Sequence, residues 1–363
     1  MKKIYFQLGA MNVGGVEKSF LGLLTTLSQT KYEIHLGLLS AKGGFMECIP
    51  EHVHVHQIDC YSSLKRVIND PPLSYIKEIL LQGHFIEALI HLFLYVLFKF
   101  SGNRYLFYKY ISRNIPVVKE EYDVAIAYAG PSQMIDYYVC EKIKAKEKYG
   151  WIHFDVTKFG IDKGMTRKLY KNYKNIYIVS ETAKEKFDEL FPEFHNKTEV
   201  RYNVIPKEEI ISLANNGESF TDDFNGTRIL TVGRMTREKG QEEAIKALRI
   251  LLEKGYDIKW YFIGDGKERV SCERLTEDLG ISNRVSFMGL KTNPYPYMRD
   301  CNIYVQPSRH EGYCITLAEA RCFPVPIVTT NFTGAEEQLK EHPNSIITGM
   351  DPENIAEGIM KFL

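Results

Sequence analysis

The sequence predicts an α/β protein of two Rossmann-like halves, each a parallel sheet flanked by helices, and three observations carry that expectation. Short apolar runs alternate with amphipathic stretches almost throughout, the pattern of parallel strands joined by crossover helices. The alternation starts afresh near Thr227, after the polar stretch Asn215 to Gly226. The 363 residues also suit about two domains. We therefore expect an N-terminal domain over residues 1–205 and a C-terminal one over 206–345. Residues 346–363 are read as a C-terminal helix that is cut short, and a hinge is expected between about Tyr202 and Asn225.

In order, Lys2 to Leu8 reads as a strand and Val16 to Leu27 as a helix. Further strands are expected at Glu33 to Leu39, Val53 to Ile58, Val124 to Tyr128, Glu147 to Ile152 and Ile176 to Ser180. In the second half, Arg228 to Val232 reads as a strand and Gln241 to Glu253 as a helix. Strands at Lys259 to Ile263, Val285 to Met288, Ile303 to Gln306 and Ile327 to Thr329 follow, and Pro352 to Leu363 closes the sequence as a short helix.

Composition excludes several classes. Apolar residues at 44% exclude disorder, and Lys plus Arg (46) balances Asp plus Glu (46), so no net charge draws the molecule to nucleic acid. The seven cysteines, Cys48, Cys60, Cys140, Cys272, Cys301, Cys314 and Cys322, are scattered without Cys-x-x-Cys, which fits a reducing cytoplasm. Met1 to Ala10 imitates a signal peptide but lacks a cleavage site and reads better as the first strand. Ile86 to Phe100 is very apolar yet carries Glu87, His91 and Lys99 and is shorter than the roughly 20 residues a spanning helix needs.

In that stretch Ile86, Leu89, Ile90, Phe93, Leu94, Leu97 and Phe98 share one helical face, expected to be core. Lys99, Arg104, Lys109, Arg113 and Lys119 follow with no acid among them, interleaved with Phe100, Tyr105, Phe107, Tyr108 and Tyr110. The alternative is a patch that rests on an anionic membrane. His52-Val53-His54-Val55-His56 invites a metal reading. With no carboxylate or cysteine at a recognisable spacing, Val53 and Val55 are instead expected to face the core and the histidines water.

Four loops carry candidate chemistry. Gly14-Gly15, in Gly9 to Ser19, fits neither the Walker A nor the dinucleotide fingerprint, but leaves backbone N–H groups open to a phosphate at a helix start. In Gly233-Arg234-Met235-Thr236-Arg237-Glu238-Lys239-Gly240, Arg234 and Lys239 can converge on a diphosphate. Gly264-Asp265-Gly266 alone could be a turn. Pro307 to Ala320 places Glu311 in a loop and Glu319 early in a helix, with amides from Gly312 to Ile315 directed at an anion and carboxylates suited to sugar hydroxyls.

Taken together, Gly-Gly-Val-Glu-Lys, Gly-Arg…Glu-Lys-Gly, Gly-Asp-Gly and Glu-x₇-Glu, in this order, resemble the family-4 retaining glycosyltransferases of the GT-B fold, particularly bacterial capsule and exopolysaccharide enzymes. The resemblance implies two Rossmann-like domains with parallel sheets facing across a cleft, the nucleotide-sugar donor held mainly by the C-terminal half and the acceptor by the N-terminal half. By position, Arg234 and Lys239 would clamp the diphosphate, Glu319 would take the ribose hydroxyls and Glu311 would lie beside the transferring sugar. Leu290, between Gly289 and Lys291, would hold the base edge through its backbone. Cys314 and Ile315 would offer the helix start, and Gly14 and Gly15 would close over the phosphates. His153, in Trp151-Ile152-His153-Phe154-Asp155, would contact the donor sugar.

The sequence departs from the family at Cys314, where many relatives carry Gly or Pro, and at Ser345, where a glycine often follows the residue at Asn344. The resemblance implies a UDP-sugar before a GDP-sugar, a glycan or lipid-linked glycan acceptor, no nucleic acid partner, and a place in the cytoplasm, peripheral on the inner face of the plasma membrane. No Asp-x-Asp occurs, so no metal or other cofactor is expected. The alternatives are a non-catalytic nucleotide-sugar or glycan-binding partner of another transferase, and a nucleotide-sugar epimerase of the same fold.

Overall fold

The computed structural model describes residues 1–58, 61–158 and 160–363, without the side chains of Ser62 and Ser63. Cys60 lies outside the described residues. The chain divides into two compact units, Met1–Val179 with Lys184–Tyr202, and Ser180–Ala183 with Asn203–Leu363.

Unit 1 begins β1 (Lys2–Leu8), α1 (Gly15–Thr26), β2 (Tyr32–Leu38) and β3 (Val53–Gln57). Four helices follow, α2 (Tyr61–Asn69), α3 (Pro72–Leu81), α4 (Phe85–Ser101) and α5 (Tyr105–Ile111). Then come β4 (Glu121–Gly130), α6 (Gln133–Glu141), β5 (Lys144–Ile152), α7 (Lys163–Tyr170), β6 (Asn175–Ile178), α8 (Glu181–Leu190) and β7 (Thr198–Val200). The sheet runs β3-β2-β1-β4-β5-β6-β7, with every pairing parallel.

Next come α9 (Lys207–Asn215), β8 (Thr227–Val232), α10 (Gln241–Glu253), β9 (Ile258–Ile263), α11 (Arg269–Asp278) and β10 (Val285–Phe287). They are followed by α12 (Tyr295–Asp300), β11 (Ile303–Gln306), α13 (Ile315–Ala320), β12 (Ile327–Thr330), α14 (Ala335–Leu339), β13 (Ser345–Thr348) and α15 (Pro352–Met360). This second sheet runs β10-β9-β8-β11-β12-β13, again parallel. In both orders the direction of winding reverses beside the first strand, which leaves a crevice at its C-terminal end.

Alternation along the unit 2 strands builds a core on each face. Leu230, Val232, Tyr261 and Ile263 pack with α12 and α13, whereas Ile229, Trp260 and Phe262 pack with α10 and α15. A parallel sheet covered on both faces needs such near-continuous apolar strands. Two polar groups that enter that core are paired: Trp260 Nε1 donates to Thr231 Oγ1 at 3.0 Å, and Thr231 Oγ1 donates to the Val305 carbonyl at 2.7 Å.

Three expectations are corrected. The stretch read as a hinge contains α9, whose Ile210 and Ala214 join the unit 2 core, because their spacing puts both on one helical face. Val55 is 41% exposed rather than core, since β3 is the edge strand and only Val53 is covered. Helix α4 is rotated by part of a turn from the expected face: Ala88, His91 and Leu94 are its buried residues and Ile90, Leu97 and Phe98 are half-buried, while Ile86, Leu89 and Phe93 are exposed at 77%, 64% and 66%.

Candidate functional site

In unit 2 the loops that follow β8, β9, β10 and β11 are sewn together by backbone. Gly264 N–H donates to the Gly289 carbonyl at 2.8 Å, Met235 N–H to the Asp265 carbonyl at 3.0 Å, and Arg309 N–H to the Glu238 carbonyl at 2.8 Å. The glycines of the sequence motifs are what permit this closeness. A Cβ on Gly264 would collide with the Gly233 carbonyl, and one on Gly240, which adopts φ of 69°, with the Pro307 carbonyl.

This framework holds Lys239 against Glu311. Lys239 Nζ donates to Glu311 Oε1 at 2.5 Å, and the two side chains are only 16% and 10% exposed. Ser308 Oγ donates to the same carboxylate oxygen at 2.7 Å, and Gln306 Nε2 donates to Ser308 Oγ at 2.8 Å. Gln306 Oε1 in turn accepts from Tyr304 and Thr316. The chain of bonds therefore runs from the core of β11 to a largely buried ion pair astride the β8–β11 reversal. Burial opposes charge on Lys239, but Glu311 outweighs it and the lysine pKa is raised, against a lowering by nearby Arg234.

Cys314 is the buried N-cap of α13, and its thiol is pushed up to about 12 by burial and by Glu311. In the orientation that satisfies both groups, the Gln338 amide meets the Cys314 carbonyl at 3.2 Å and its N–H at 3.0 Å, fixing the backbone ahead of Ile315. Glu319 is 2% exposed and accepts from Tyr295 OH at 3.0 Å. It sits next to last in α13, not early in a helix, because that helix has only 6 residues. Arg234 is exposed on the loop after β8, and Leu290 is 58% exposed on the loop after β10.

Gly14, Gly15 and His153 belong to unit 1. Gly14 is the N-cap of α1, in extended conformation, and Gly15 is that helix's first residue. His153 follows β5 and is 8% exposed, its ring centroid 4.6 Å from that of Tyr128. Burial lowers its pKa to about 3, against a hydrogen bond that its ring donates to the Tyr128 backbone, which raises it. Its Nε2 is buried and makes no hydrogen bond among the described residues.

Of the predicted residues, then, Lys239, Glu311 and Cys314 fall in one electrostatic cluster, and Glu319 has a separate partner in Tyr295. Sequence reasoning missed Gln306, Tyr295 and Gln338 as supports. The pairs come from segments 24 residues apart for Tyr295 and Glu319, and no local pattern announces them.

A cavity of about 290 Å³ beside α10 and α11, lined among others by Arg237, Glu243, Ser271 and Arg309, contains none of the predicted residues.

Residues 220–363, which include every candidate of unit 2, match the family described as Glycosyl transferases group 1. This part of the chain is a group 1 glycosyltransferase domain. The whole fold is GT-B: a crystal structure of HepE from Anabaena, in complex with UDP and glucose, is 17% identical with a TM-score of 0.69, covering 99% of this chain and 89% of that one. An N-acetylgalactosaminyltransferase from Campylobacter jejuni, named for an N-acetylgalactosamine-N,N'-diacetylbacillosaminyl-diphospho-undecaprenol substrate, is 24% identical over 98% of this chain and 88% of its own. An uncharacterised glycosyltransferase from Methanocaldococcus jannaschii is 28% identical over 47% of this chain, and the match spans 44% of its length. In the group 1 domain Arg234, Lys239, Leu290 and Glu311 stand on loops at one end of a six-stranded parallel sheet, and Glu319 in the short helix that follows one of them.

Proposed function

We propose that this protein is a retaining hexosyl- or N-acetylhexosaminyl-transferase that moves a sugar from a UDP-sugar to a growing, lipid-linked glycan in cell-surface polysaccharide synthesis. One observation carries the reading: the largely buried Lys239–Glu311 pair, formed by residues 72 apart in sequence, at the sheet reversal of a group 1 domain.

A nucleoside diphosphate gains negative charge as the sugar–phosphate bond breaks. Lys239, kept protonated and held in place by Glu311, is a preorganised cation that stabilises this charge, and exposed Arg234 adds a second positive charge nearby. Glu319, anchored by Tyr295, accepts hydrogen bonds from the ribose, Glu311 from the transferring sugar, and the Leu290 backbone meets the base. Cys314 and Ile315 offer backbone at the start of α13, and Gly14 and Gly15 at the start of α1. His153, a neutral imidazole with its Nε2 uncommitted among the described residues, can exchange a hydrogen bond with a sugar hydroxyl. The clamp requires no metal. The UDP in the HepE complex and the diphospho-undecaprenol in the Campylobacter enzyme's name support the donor and acceptor classes.

A second surface supports work in the cytoplasm at the inner face of the plasma membrane. Phe85, Ile86, Leu89, Leu92, Phe93, Val96 and Phe100 of α4 are 41–88% exposed. At about 100° per residue they fall on one face, with Lys99 on its border. Lys109, Arg113 and Lys119 are also exposed, whereas Tyr105 and Tyr108 are buried. No helix among the described residues is long and apolar enough to cross a membrane. An apolar face bordered by unopposed positive charge suits the headgroup boundary of an anionic bilayer.

The deciding experiment is a nucleotide-sugar screen by thermal shift, followed by transfer assays on each hit. A UDP-sugar should stabilise the protein and be turned over only with an acceptor. Stabilisation without turnover would favour the binding-partner reading, and product without acceptor an epimerase. Vesicle sedimentation tests the surface: binding should need anionic lipid, weaken with salt and vanish when Phe85, Phe93 and Phe100 become Asp. Wild type left in the supernatant at low salt would refute it.

A further inference from the structure

We propose that Glu33, His35 and His54 form a site for a divalent transition-metal ion at the outer edge of the unit 1 sheet. The histidine alternation on β3 has no carboxylate within its own segment, but the neighbouring strand supplies one. In the parallel pairing of β2 with β3, His35 lies opposite His54. With a period of two, Glu33 and His35 share a face, and His54 and His56 share the same one. One ligand atom from each of Glu33, His35 and His54 lies within 4.8 Å of the others. No other group of three His, Cys, Asp or Glu among the described residues meets that test.

The fine geometry is near to what an ion needs. His35 Nε2 is 2.9 Å from Glu33 Oε1, and its ring is 4.9 Å from that of His54. Nitrogen and oxygen ligands about 2.1 Å from a tetrahedral ion stand about 3.4 Å apart. An ion can thus replace the proton shared by Glu33 and His35 with a half-ångström opening, and His54 completes three donors. The other nitrogen of His35, Nδ1, shares a 2.8 Å hydrogen bond with His56 Nε2, the kind of outer contact that fixes a ligating imidazole.

The surrounding charges permit this. Lys3 lies 3.4 Å from Glu33, but it also pairs closely with Glu120, which keeps the lysine satisfied if Glu33 turns to an ion. Glu120 is 3.9 Å from His35 Nδ1 and adds negative charge nearby, and Tyr122 presents its ring at 5.0 Å. Two imidazoles and one carboxylate select zinc-like ions over magnesium or calcium, which prefer all-oxygen sets. The consequence is mechanical. A bound ion clips edge strand β3, exposed at both His54 and Val55, to buried β2 and reinforces an otherwise open edge.

The test uses the full chain stripped of metal by dialysis against chelator, then titrated with Co²⁺ and, separately, Zn²⁺. One equivalent of Co²⁺ should produce visible ligand-field bands typical of nitrogen and oxygen donors, and Zn²⁺ should raise Tm. His54 is exposed, so His54→Ala should fold, verified by circular dichroism. It should weaken Co²⁺ binding by about tenfold or more and abolish the Zn²⁺ shift, as should Glu33→Gln. Absence of the bands, binding unchanged in His54→Ala, or the intense charge-transfer absorption of a cysteine thiolate would each overturn the site.

Discussion

The two parallel sheets present opposite chemistry at corresponding places, the C-terminal ends of their middle strands. Unit 2 carries fixed charge there: Lys239 is paired at 2.5 Å with Glu311, and Arg234 stands exposed beside them. Unit 1 carries rings. Tyr128, Trp151 and His153 stack within 4.6–6.0 Å of one another, and Ser19 bonds Tyr128 at 2.8 Å. Lys239 and His153 are both withdrawn from water, yet the lysine pKa is raised despite burial, and the histidine pKa falls to about 3 because of it. Burial does not set ionisation alone; a facing carboxylate reverses it. Unit 2 thus holds a carboxylate-stabilised cation at this place, where unit 1 sets a neutral imidazole among rings, two residues before the Asp155–Lys186 ion pair.

The contrast breaks most severely if unit 2's charge is removed. Arg234→Ala should lower kcat roughly 10²–10³-fold, as loss of one donor to developing negative charge does elsewhere. Because Arg234 is exposed, the variant should keep its stability. Steady-state kinetics on the best donor from the screen measures this, and an effect confined to KM would show that the arginine only binds. Excess chelator in the same assay should cost no turnover. Inactivation reversed by Mg²⁺ or Mn²⁺ would mean that the fixed cations are not sufficient.

A smaller effect is expected at Glu319. Glu319→Ala should weaken UDP and UDP-sugar alike by about 10- to 100-fold, the worth of roughly 1.5–3 kcal/mol of charged hydrogen bonds. Calorimetry with UDP, once UDP is seen to bind, provides the measurement. Tyr295→Phe separates anchoring from contact: it removes the 3.0 Å bond to Glu319 but leaves the carboxylate, so its loss should be the lesser. Equal affinity in wild type and a folded Glu319→Ala would remove Glu319 from the ribose.

What was legible in the sequence follows the same division. Unit 2's loops meet backbone to backbone, and where the approach is closest it demands a missing Cβ and leaves a glycine in the sequence, as at Gly240 and Gly264. Side-chain partnerships leave no such mark. Tyr295 with Glu319, Gln338 with Cys314, and His54 with Glu33 and His35 depend on which strands and helices become neighbours. Periodicity showed that α4 has faces, but not which one meets the core, since both are apolar; the structure buries Ala88, His91 and Leu94 and leaves the larger side chains outside.

The mildest test reads unit 1's neutrality through pH. His153 has its pKa lowered from 6.5 to about 3, so its contribution to stability is complete above 6.5 and is lost as pH falls toward 3. Asp136, buried and accepting from Tyr173 OH at 2.6 Å, is shifted the other way, from 3.8 to about 7, chiefly by burial. Its contribution is complete below 3.8 and is lost as pH rises through 7. Between pH 7 and pH 5 the two should therefore change stability by about 2 kcal/mol each with opposite sign, at 1.36 kcal/mol per pKa unit. Denaturant unfolding of unit 1 should change little over this range in wild type from these two groups. Asp136→Asn should expose the His153 loss, with stability falling as the medium is acidified, and His153→Gln should expose the Asp136 gain, with stability rising. If both variants keep the wild-type slope, neither group is held neutral in the folded state, and the contrast between a ring-lined unit 1 and a charge-lined unit 2 loses its electrostatic basis.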